Sequence, residues 1–462
     1  MVKPVPAVVV AAPASGSGKT TLATGLIGAL QRAGHTVAPF KVGPDFIDPG
    51  YHGLAAGRPG RNLDPNLVGE ELIGPLYAHG TQGADLAVIE GVMGLFDGRI
   101  DPVAATPATG STAHVAALLG VPVILVVDAR GQSQSIAALL HGFSTFDAAT
   151  RIAGVILNRV GSARHEQVLR QACEQAGVPV LGAIPRVAEM EVPSRYLGLV
   201  TAVEYGRRAR EAVDAMTDLV AEHVDLAAVV ATAASRAVAG APWDAATAVG
   251  ETPDRHATVA LAAGRAFTFG YAEHAELLAA AGAEVIPFDP LTDSLPDGTD
   301  AVVLPGGFPE QWAAELSANE DVRRQIRELA AAGAPVHAEC AGLIYLVDEL
   351  DGYPMCGVVR GSARFTSQLK LAYRDAVAVA DSALYSPGQR VVGHEFHRTA
   401  VTFADEYQPA WVYRDEAAVR DGVVRDGVHA AYLHTHPAAT PEAVARFVAH
   451  GAQYRSTFRL GG

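Results

Sequence analysis

Residues 12–26, APASGSGKTTLATGL, place a lysine and two threonines directly behind a run of small residues. That combination suits polyphosphate. The backbone N–H groups of Ser15, Gly16, Ser17 and Gly18 can come close to phosphate oxygens because no bulky side chain intervenes, and a helix starting there adds the partial positive charge of its N-terminus. Lys19 can then reach the β and γ phosphates, Thr20 can hold Mg²⁺, and Thr21 follows on the same first turn. DLAVIEGVMGLFDG (85–98) brings Glu90 to the end of an apolar run and Asp97 onto the loop after it. VILNRVGS (155–162) ends another such run at Asn158, whose amide can pair with an adenine edge. A second kind of chemistry belongs to PVHAECAGLIYL (335–346). The residues alone leave Cys340 two readings. It is either a small buried hydrophobe, as free cysteines usually are, or a nucleophile exposed on a strand–turn–helix elbow whose helix N-terminus favours thiolate.

These groups need strands to carry them. AVVVAA (7–12) precedes a helix over about 20–33, and TVAPFK, DLAVIE, PVILVVDA, RIAGVILN and VPVLGAI follow, with helical stretches between several of them. Apolar strands separated by helices imply a parallel sheet covered on both faces. The expectation is an α/β chain of two domains. A doubly wound parallel-sheet P-loop domain spans 1–237, a linker rich in Ala, Gly, Pro and Thr spans 238–256, and a second, flavodoxin-like α/β domain spans 257–462. In the second half the strands are TVALAA, EVIPF and DAVVLPGG, with helices near 271–281 and 320–332.

The 462 residues are 49% apolar and 18% charged, ample for two cores, and a net charge of −15 argues against a nucleic-acid surface. Three cysteines, Cys173, Cys340 and Cys356, form no even framework, which points to a reducing cytoplasm. The opening MVKPVPAVVVAAPASG mimics a secretory signal, but the phosphate loop needs the same apolar stretch as its strand. No run approaches the roughly 18 apolar residues of a membrane span, so neither a membrane nor a nucleic-acid partner is expected.

FKVGPDFIDPGYH (40–52) crowds Lys41, Asp45, Asp48 and His52 into one loop after a strand, its course fixed by two prolines and two glycines. With RNLDP (61–65) and IEGVMGLFDG, it closely resembles the cobyrinic and hydrogenobyrinic acid a,c-diamide synthases of vitamin B12 biosynthesis, and the resemblance runs nearly end to end. The phosphate loop, where counting back from Gly18 lands on Pro13, is similar to the longer variant of dethiobiotin synthetase and its relatives. The resemblance implies an N-terminal ATP-dependent synthetase domain and a C-terminal class I glutaminase domain. L-Glutamine is hydrolysed in the second, and the ammonia amidates ATP-activated carboxylates of a corrin-ring substrate in the first. By the same resemblance Lys19, Thr20, Asp45 and Glu90 serve ATP and Mg²⁺, and Lys41, Asp48 and Asp97 serve the substrate, with Asp48 and Asp97 on loops away from the phosphate loop. A homodimer is among the compatible assemblies.

LPGGFPE (304–310) and AECAG resemble the oxyanion and nucleophile turns of glutaminase domains. The resemblance makes Cys340 the nucleophile and gives Ala341 and one of Gly306 and Gly307 the oxyanion N–H groups. It makes His434, in AAYLHTHPA (430–438), the base. Two departures stand out. Many relatives have Gly where this chain has Ala341, and many class I glutaminases place an orienting Glu where His436 stands. His436 is therefore the alternative base, and the group that orients His434 is open. Cys173 and Cys356 read as structural, and GHEFHRT (393–399) as a structural or interface segment. The rival readings are a cobyric acid synthase, which amidates other side chains, and a P-loop switch ATPase with an inert glutaminase-like module. Whether the substrate carries cobalt is not legible in these residues.

Overall fold

The computed structural model describes residues 4–100, 107–186, 194–195, 198–236, 241–251 and 256–458. It divides into two compact units, Met1–Trp243 and Asp244–Gly462.

The first unit is built on a seven-stranded sheet. Its strands are β1 (Ala7–Ala11), β2 (Val37–Val42), β3 (Arg61–Leu63), β4 (Leu86–Glu90), β5 (Val123–Asp128), β6 (Ile152–Val160) and β7 (Val180–Pro185). They lie in the order β3-β2-β4-β1-β5-β6-β7, and every pairing is parallel. Val8, Val9 and Val10 are fully buried, as strands covered on both faces require. Pairing register does the positioning. Val10 faces Glu90, Lys41 faces Glu90, and Asp128 faces Asn158, so these polar groups share the carboxyl edge of the sheet. That is the edge where open α/β sheets bind ligands. Helix α1 (Lys19–Arg32) starts directly behind the phosphate loop and buries Leu22, Leu26, Ile27 and Leu30, an apolar stripe of helical period. A two-residue ribbon, β8 (Ser194–Arg195) with β9 (Gly198–Leu199), follows β7.

The second unit has two sheets. The first consists of β10 (Ala257–Ala262), β11 (Ala283–Phe288), β12 (Ala301–Leu304), β13 (Val336–Glu339) and two later strands, β20 (Val423–Arg425) and β21 (Val428–Ala431). Its order is β11-β10-β12-β13-β21-β20, parallel except for the edge strand β20. The second sheet has the order β15-β14-β16-β17-β22, from β14 (Glu349–Leu350), β15 (Tyr353–Pro354), β16 (Gly361–Ala378), β17 (Arg390–Phe403) and β22 (His434–Thr435). β18 (Trp411–Arg414) pairs with β16 and with β19 (Ala418–Asp421). This second sheet is not legible in the sequence. Much of β16 alternates between exposed and half-exposed positions, so it lacks the continuous apolar run that marks a buried strand.

Within the stretch read as a linker, Asp244 accepts a hydrogen bond from Thr247 N (2.8 Å) and caps a short helix, Ala245–Val249. Trp243, just before it, packs edge-on against His79 of the first unit at 4.9 Å. Among the described residues no helix is long and apolar enough to cross a membrane.

Candidate active sites

The phosphate loop joins β1 to α1 and turns through two left-handed glycines, Gly16 (φ 78°) and Gly18 (φ 92°). At Gly18 the requirement is also steric, since a Cβ there would lie 2.4 Å from Asn158 Nδ2. Asn158 approaches so closely because its Nδ2 donates to Ser17 O (2.9 Å), while its Oδ1 accepts from Arg159 N (2.9 Å). The structure thus shows Asn158 bracing the loop, a job not anticipated from sequence. Arg159, itself left-handed at φ 61°, donates to Gly16 O (3.0 Å) and pairs with Asp128 (2.6 Å), a second brace that no motif announced. Ser15 and Gly16 are exposed on the loop, Ser17 is buried, and Thr21 is half-buried on α1.

Lys19 donates to Met93 O (2.5 Å) on the loop that also carries Asp97, whose Oδ2 accepts from Gly94 N (2.9 Å). Burial and the Lys41 charge lower the Lys19 pKa, against the pull of Glu90, Asp48 and Asp97. Thr20 Oγ1 donates to Glu90 Oε1 (2.7 Å) and lies 3.2 Å from Asp48 Oδ2. The buried Lys41 ammonium is 2.6 Å from Asp48, 2.9 Å from Glu90 and 4.0 Å from Asp45. His52 Nε2 reaches the other Glu90 oxygen at 2.7 Å. Asp45 Oδ1 accepts from Ile47 N (2.7 Å) and Asp48 N (3.0 Å), which fixes the start of helix α2 (Asp48–Ala56). Asn62, from RNLDP, ties the same loop down through Gly43 O and Asp45 O.

The two central carboxylates are driven apart by their surroundings. Burial pushes Glu90 up, but Lys41, with His52 and Thr20 bonding to it, more than offsets this and holds it at about 2. Burial and the Asp45 charge push Asp48 up to about 7 despite Lys41. Burial would lower Lys41 itself, yet the charges of Asp48, Glu90 and Asp45 hold it above the usual lysine range. One expectation is corrected here. The sequence places Asp48 on a loop away from the phosphate loop, whereas the structure puts it in the first turn of α2, beside Thr20 and paired with Lys41 of β2. Mg²⁺ keeps several waters, takes phosphate oxygens and needs only one or two carboxylates. The hydroxyl of Thr20 with the oxygens of Glu90 and Asp45 is a donor set of that kind.

In the second unit, Cys340 stands between β13 and the helix Ala341–Leu346 with φ 49° and ψ −98°, a conformation that costs roughly 1–3 kcal/mol and collects at functional sites. Its N–H donates to Ala431 O (2.7 Å) of the adjacent strand. The expectation of an exposed sulfur favoured as thiolate is corrected. Cys340 is 2% exposed, and burial with the Glu310 charge pushes its pKa up, opposed by a hydrogen bond from the Ala341 backbone. The helix behind it is only six residues long, too short to outweigh that burial. After β12 the chain turns through Gly306 and Gly307. Phe269 N donates to Gly306 O (3.0 Å), and a Cβ at Gly306 would lie 2.3 Å from His434 Cε1.

His434 is buried on β22, paired with His394 of β17. Its Nδ1 lies 3.7 Å from Oε2 of Glu339, the residue before the cysteine. His436, the alternative base, caps the turn Pro437–Ala439 by accepting from Ala438 N (3.3 Å), and its ring packs on Tyr271 at 4.2 Å. Burial lowers His436 to about 4. In GHEFHRT, Glu395 accepts from Arg374 (2.5 Å) and Tyr413 (3.1 Å), and His397 stacks on Tyr432 at 3.8 Å. Cys173 and Cys356 are fully buried.

A phosphate loop on a doubly wound sheet and a thiol elbow on a second α/β sheet define an ATP-using amidotransferase architecture. Comparison with known families agrees. Residues 8–200 match the CobQ/CobB/MinD/ParA nucleotide binding domain, and residues 258–441 match the CobB/CobQ-like glutamine amidotransferase domain. Hydrogenobyrinate a,c-diamide synthase of Mycobacterium tuberculosis (strain ATCC 25618 / H37Rv) is 81% identical over 97% of this chain and 98% of its own length. The protein of that name from Streptomyces coelicolor is 54% identical over 96% of this chain and 97% of its own length. Cobyrinate a,c-diamide synthase of Gloeobacter violaceus is 40% identical over 96% of both chains. This chain belongs to the hydrogenobyrinate a,c-diamide synthase family.

Proposed function

We propose that this chain is a cytoplasmic ligase that uses ATP and glutamine to amidate the a and c side-chain carboxylates of hydrogenobyrinic acid, the cobalt-free corrin acid. The observation that carries the reading is the end-to-end likeness, at 81% identity, to proteins named for that product. Proteins named for cobyrinate stand at 37–40%, which favours the cobalt-free substrate.

In the first unit, Lys19 and the N–H groups from Ser15 to Thr21 receive the phosphates. Thr20, Glu90 and Asp45 hold Mg²⁺, which when bound supplies charge stabilisation to the phosphate oxygens. Asp97, Lys41 and Asp48 face the carboxylate being activated. A carboxylate is a poor acceptor for ammonia because oxide would have to leave. Transfer of the γ-phosphoryl group to it makes an acyl phosphate, from which ammonia displaces phosphate. Substrate labelled with ¹⁸O in its carboxylates should therefore deliver label to inorganic phosphate, whereas label in AMP would mean adenylation.

In the second unit, the Cys340 sulfur attacks the glutamine side-chain carbonyl and its proton passes to His434. The N–H groups of Ala341 and of Gly306 or Gly307 receive the oxyanion. The proton then goes to the departing nitrogen as the C–N bond breaks, and water hydrolyses the thioester to glutamate. Because burial keeps Cys340 a thiol at rest, the histidine has to take the proton as the bond forms.

The deciding assay gives purified protein, Mg-ATP and glutamine either hydrogenobyrinic or cobyrinic acid and weighs the products. The diamide should form from the cobalt-free acid. Diamide from cobyrinic acid alone, or amides at other side chains, would overturn the reading.

A further inference from the structure

We propose that Glu339 is the positioning carboxylate of the glutaminase site, holding the His434 ring through Nδ1 from the strand that carries the nucleophile. The inference rests on the glutaminase reading above and goes beyond it. It answers which group orients the base when the place of the usual acid is taken by His436.

Three observations converge on Glu339. Pairing of β13 with β21 sets Glu339 opposite Ala431, three residues before His434, so the backbone itself brings carboxylate and ring to one sheet edge. Glu339 Oε1 accepts from Thr435 N (3.1 Å) and Thr435 Oγ1 (3.0 Å), with His337 Nε2 at 3.5 Å. Those contacts fix the carboxylate and leave Oε2 against His434 Nδ1 at 3.7 Å. Burial would raise Glu339, but His337 at 3.5 Å and His434 at 3.7 Å hold it well below the usual carboxylate range, so it is ionised.

The other titratable groups around the ring are set differently. His394, beside His434 across β17, is lowered to about 3 by burial and the His434 charge. His436 is committed to its turn and lowered by burial. Glu310 acts on the thiol. A carboxylate at Nδ1 keeps the proton on that nitrogen, makes Nε2 the nitrogen that takes the Cys340 proton, and stabilises the imidazolium until the proton passes to the departing ammonia. This is the orienting role of the acid in hydrolytic triads, supplied here from the residue next to the nucleophile.

The test is glutamine hydrolysis by the full chain as a function of pH, with Glu339→Gln, Glu339→Asp and His434→Ala beside the parent. Glu339→Gln keeps an acceptor for Thr435 but removes the charge. It should lower kcat roughly 100-fold with little change in KM, and should move the acid limb of the profile to lower pH. Glu339→Asp keeps the charge one methylene further back, so it should recover part of kcat and the parent's acid limb. If Glu339→Gln does not fold, as judged by thermal unfolding, the Asp variant decides alone: an unmoved limb supports the proposal and a displaced one overturns it. An inactive His434→Ala beside a Glu339→Gln with parental kcat and limb would overturn this proposal only. Full hydrolysis by His434→Ala would instead overturn the glutaminase reading.

Discussion

In the first unit, Lys19, Lys41, Asp45, Asp48 and Glu90 bring ammonium groups and carboxylates together in one cluster, in which Glu90 is held ionised and Asp48 is raised to about 7. In the second unit, the imidazoles near His434 are kept neutral by burial, His394 at about 3 and His436 at about 4, with Glu339 ionised beside the His434 ring. The difference follows from the chemistry each is proposed to perform. Stabilising a transferring phosphoryl group calls for charges already in place, which need not move during the step. Thiol chemistry calls for one proton to move from sulfur to nitrogen and back. Further fixed charges near that path would trap the proton on one side.

The strongest test of this contrast separates the two sites by nitrogen source. Cys340→Ala should lower glutamine-driven amidation on the order of 10³-fold or more, while ammonia-driven amidation by the same preparation continues. Parental glutamine turnover in that variant would remove Cys340 from the chemistry. The converse variant, Lys19→Ala, should slow amidation from either nitrogen source by roughly 10²- to 10³-fold and leave glutamine hydrolysis measurable. If both variants lost both activities, the sites would be too tightly coupled for the comparison to stand.

The two regions also differ in how much of them could be read from the chain. The first site was legible because its elements are local in sequence: a small-residue loop behind an apolar strand, and acids ending apolar runs. What escaped was the approach of Asp48 to Thr20 and the bracing by Asn158 and Arg159, both set by long-range pairing. In the second unit the candidate nucleophile and base, Cys340 and His434, rest on resemblance. Glu339 was not assigned, although it stands next to the cysteine, because only the β13–β21 register shows which ring it meets. The β16–β17 hairpin was missed because β16 is largely exposed and the buried positions of β17 are mostly polar, His394, Glu395, His397 and Thr399, so neither strand carries an apolar run.

A smaller effect probes how closely the second site is packed. Gly306→Ala would put a methyl 2.3 Å from His434 Cε1, so the ring must shift. A displaced base should cost about 10- to 100-fold in glutamine hydrolysis without touching ammonia-driven amidation. An unaffected rate would show that the ring has room to move and that its position is less tightly set than the contact implies.

The smallest expected effect is on stability, and its sign comes from Asp48. Burial and Asp45 raise this carboxyl from the ordinary 3.8 to about 7, so the folded chain binds the proton more tightly than the unfolded one. Stability from that proton is fully present below about pH 4 and is lost as pH rises through about 7. Above that, ionised Asp48 repels Asp45 and Glu90 at close range, only partly offset by Lys41 at 2.6 Å. Asp48→Asn is neutral at every pH and leaves Lys41 its contacts with Glu90 and Asp45. Without nucleotide, the variant's unfolding midpoint should therefore exceed the parent's by roughly 2–4 °C at pH 8, with the gap closing toward pH 4, while its amidation slows. The measurement is a pair of thermal melts across that pH range. A variant less stable than the parent at pH 8 would mean that the Lys41–Asp48 pair outweighs the carboxylate repulsion. The first site would then be held together by the same charges it uses, and would not carry them at a cost to the fold.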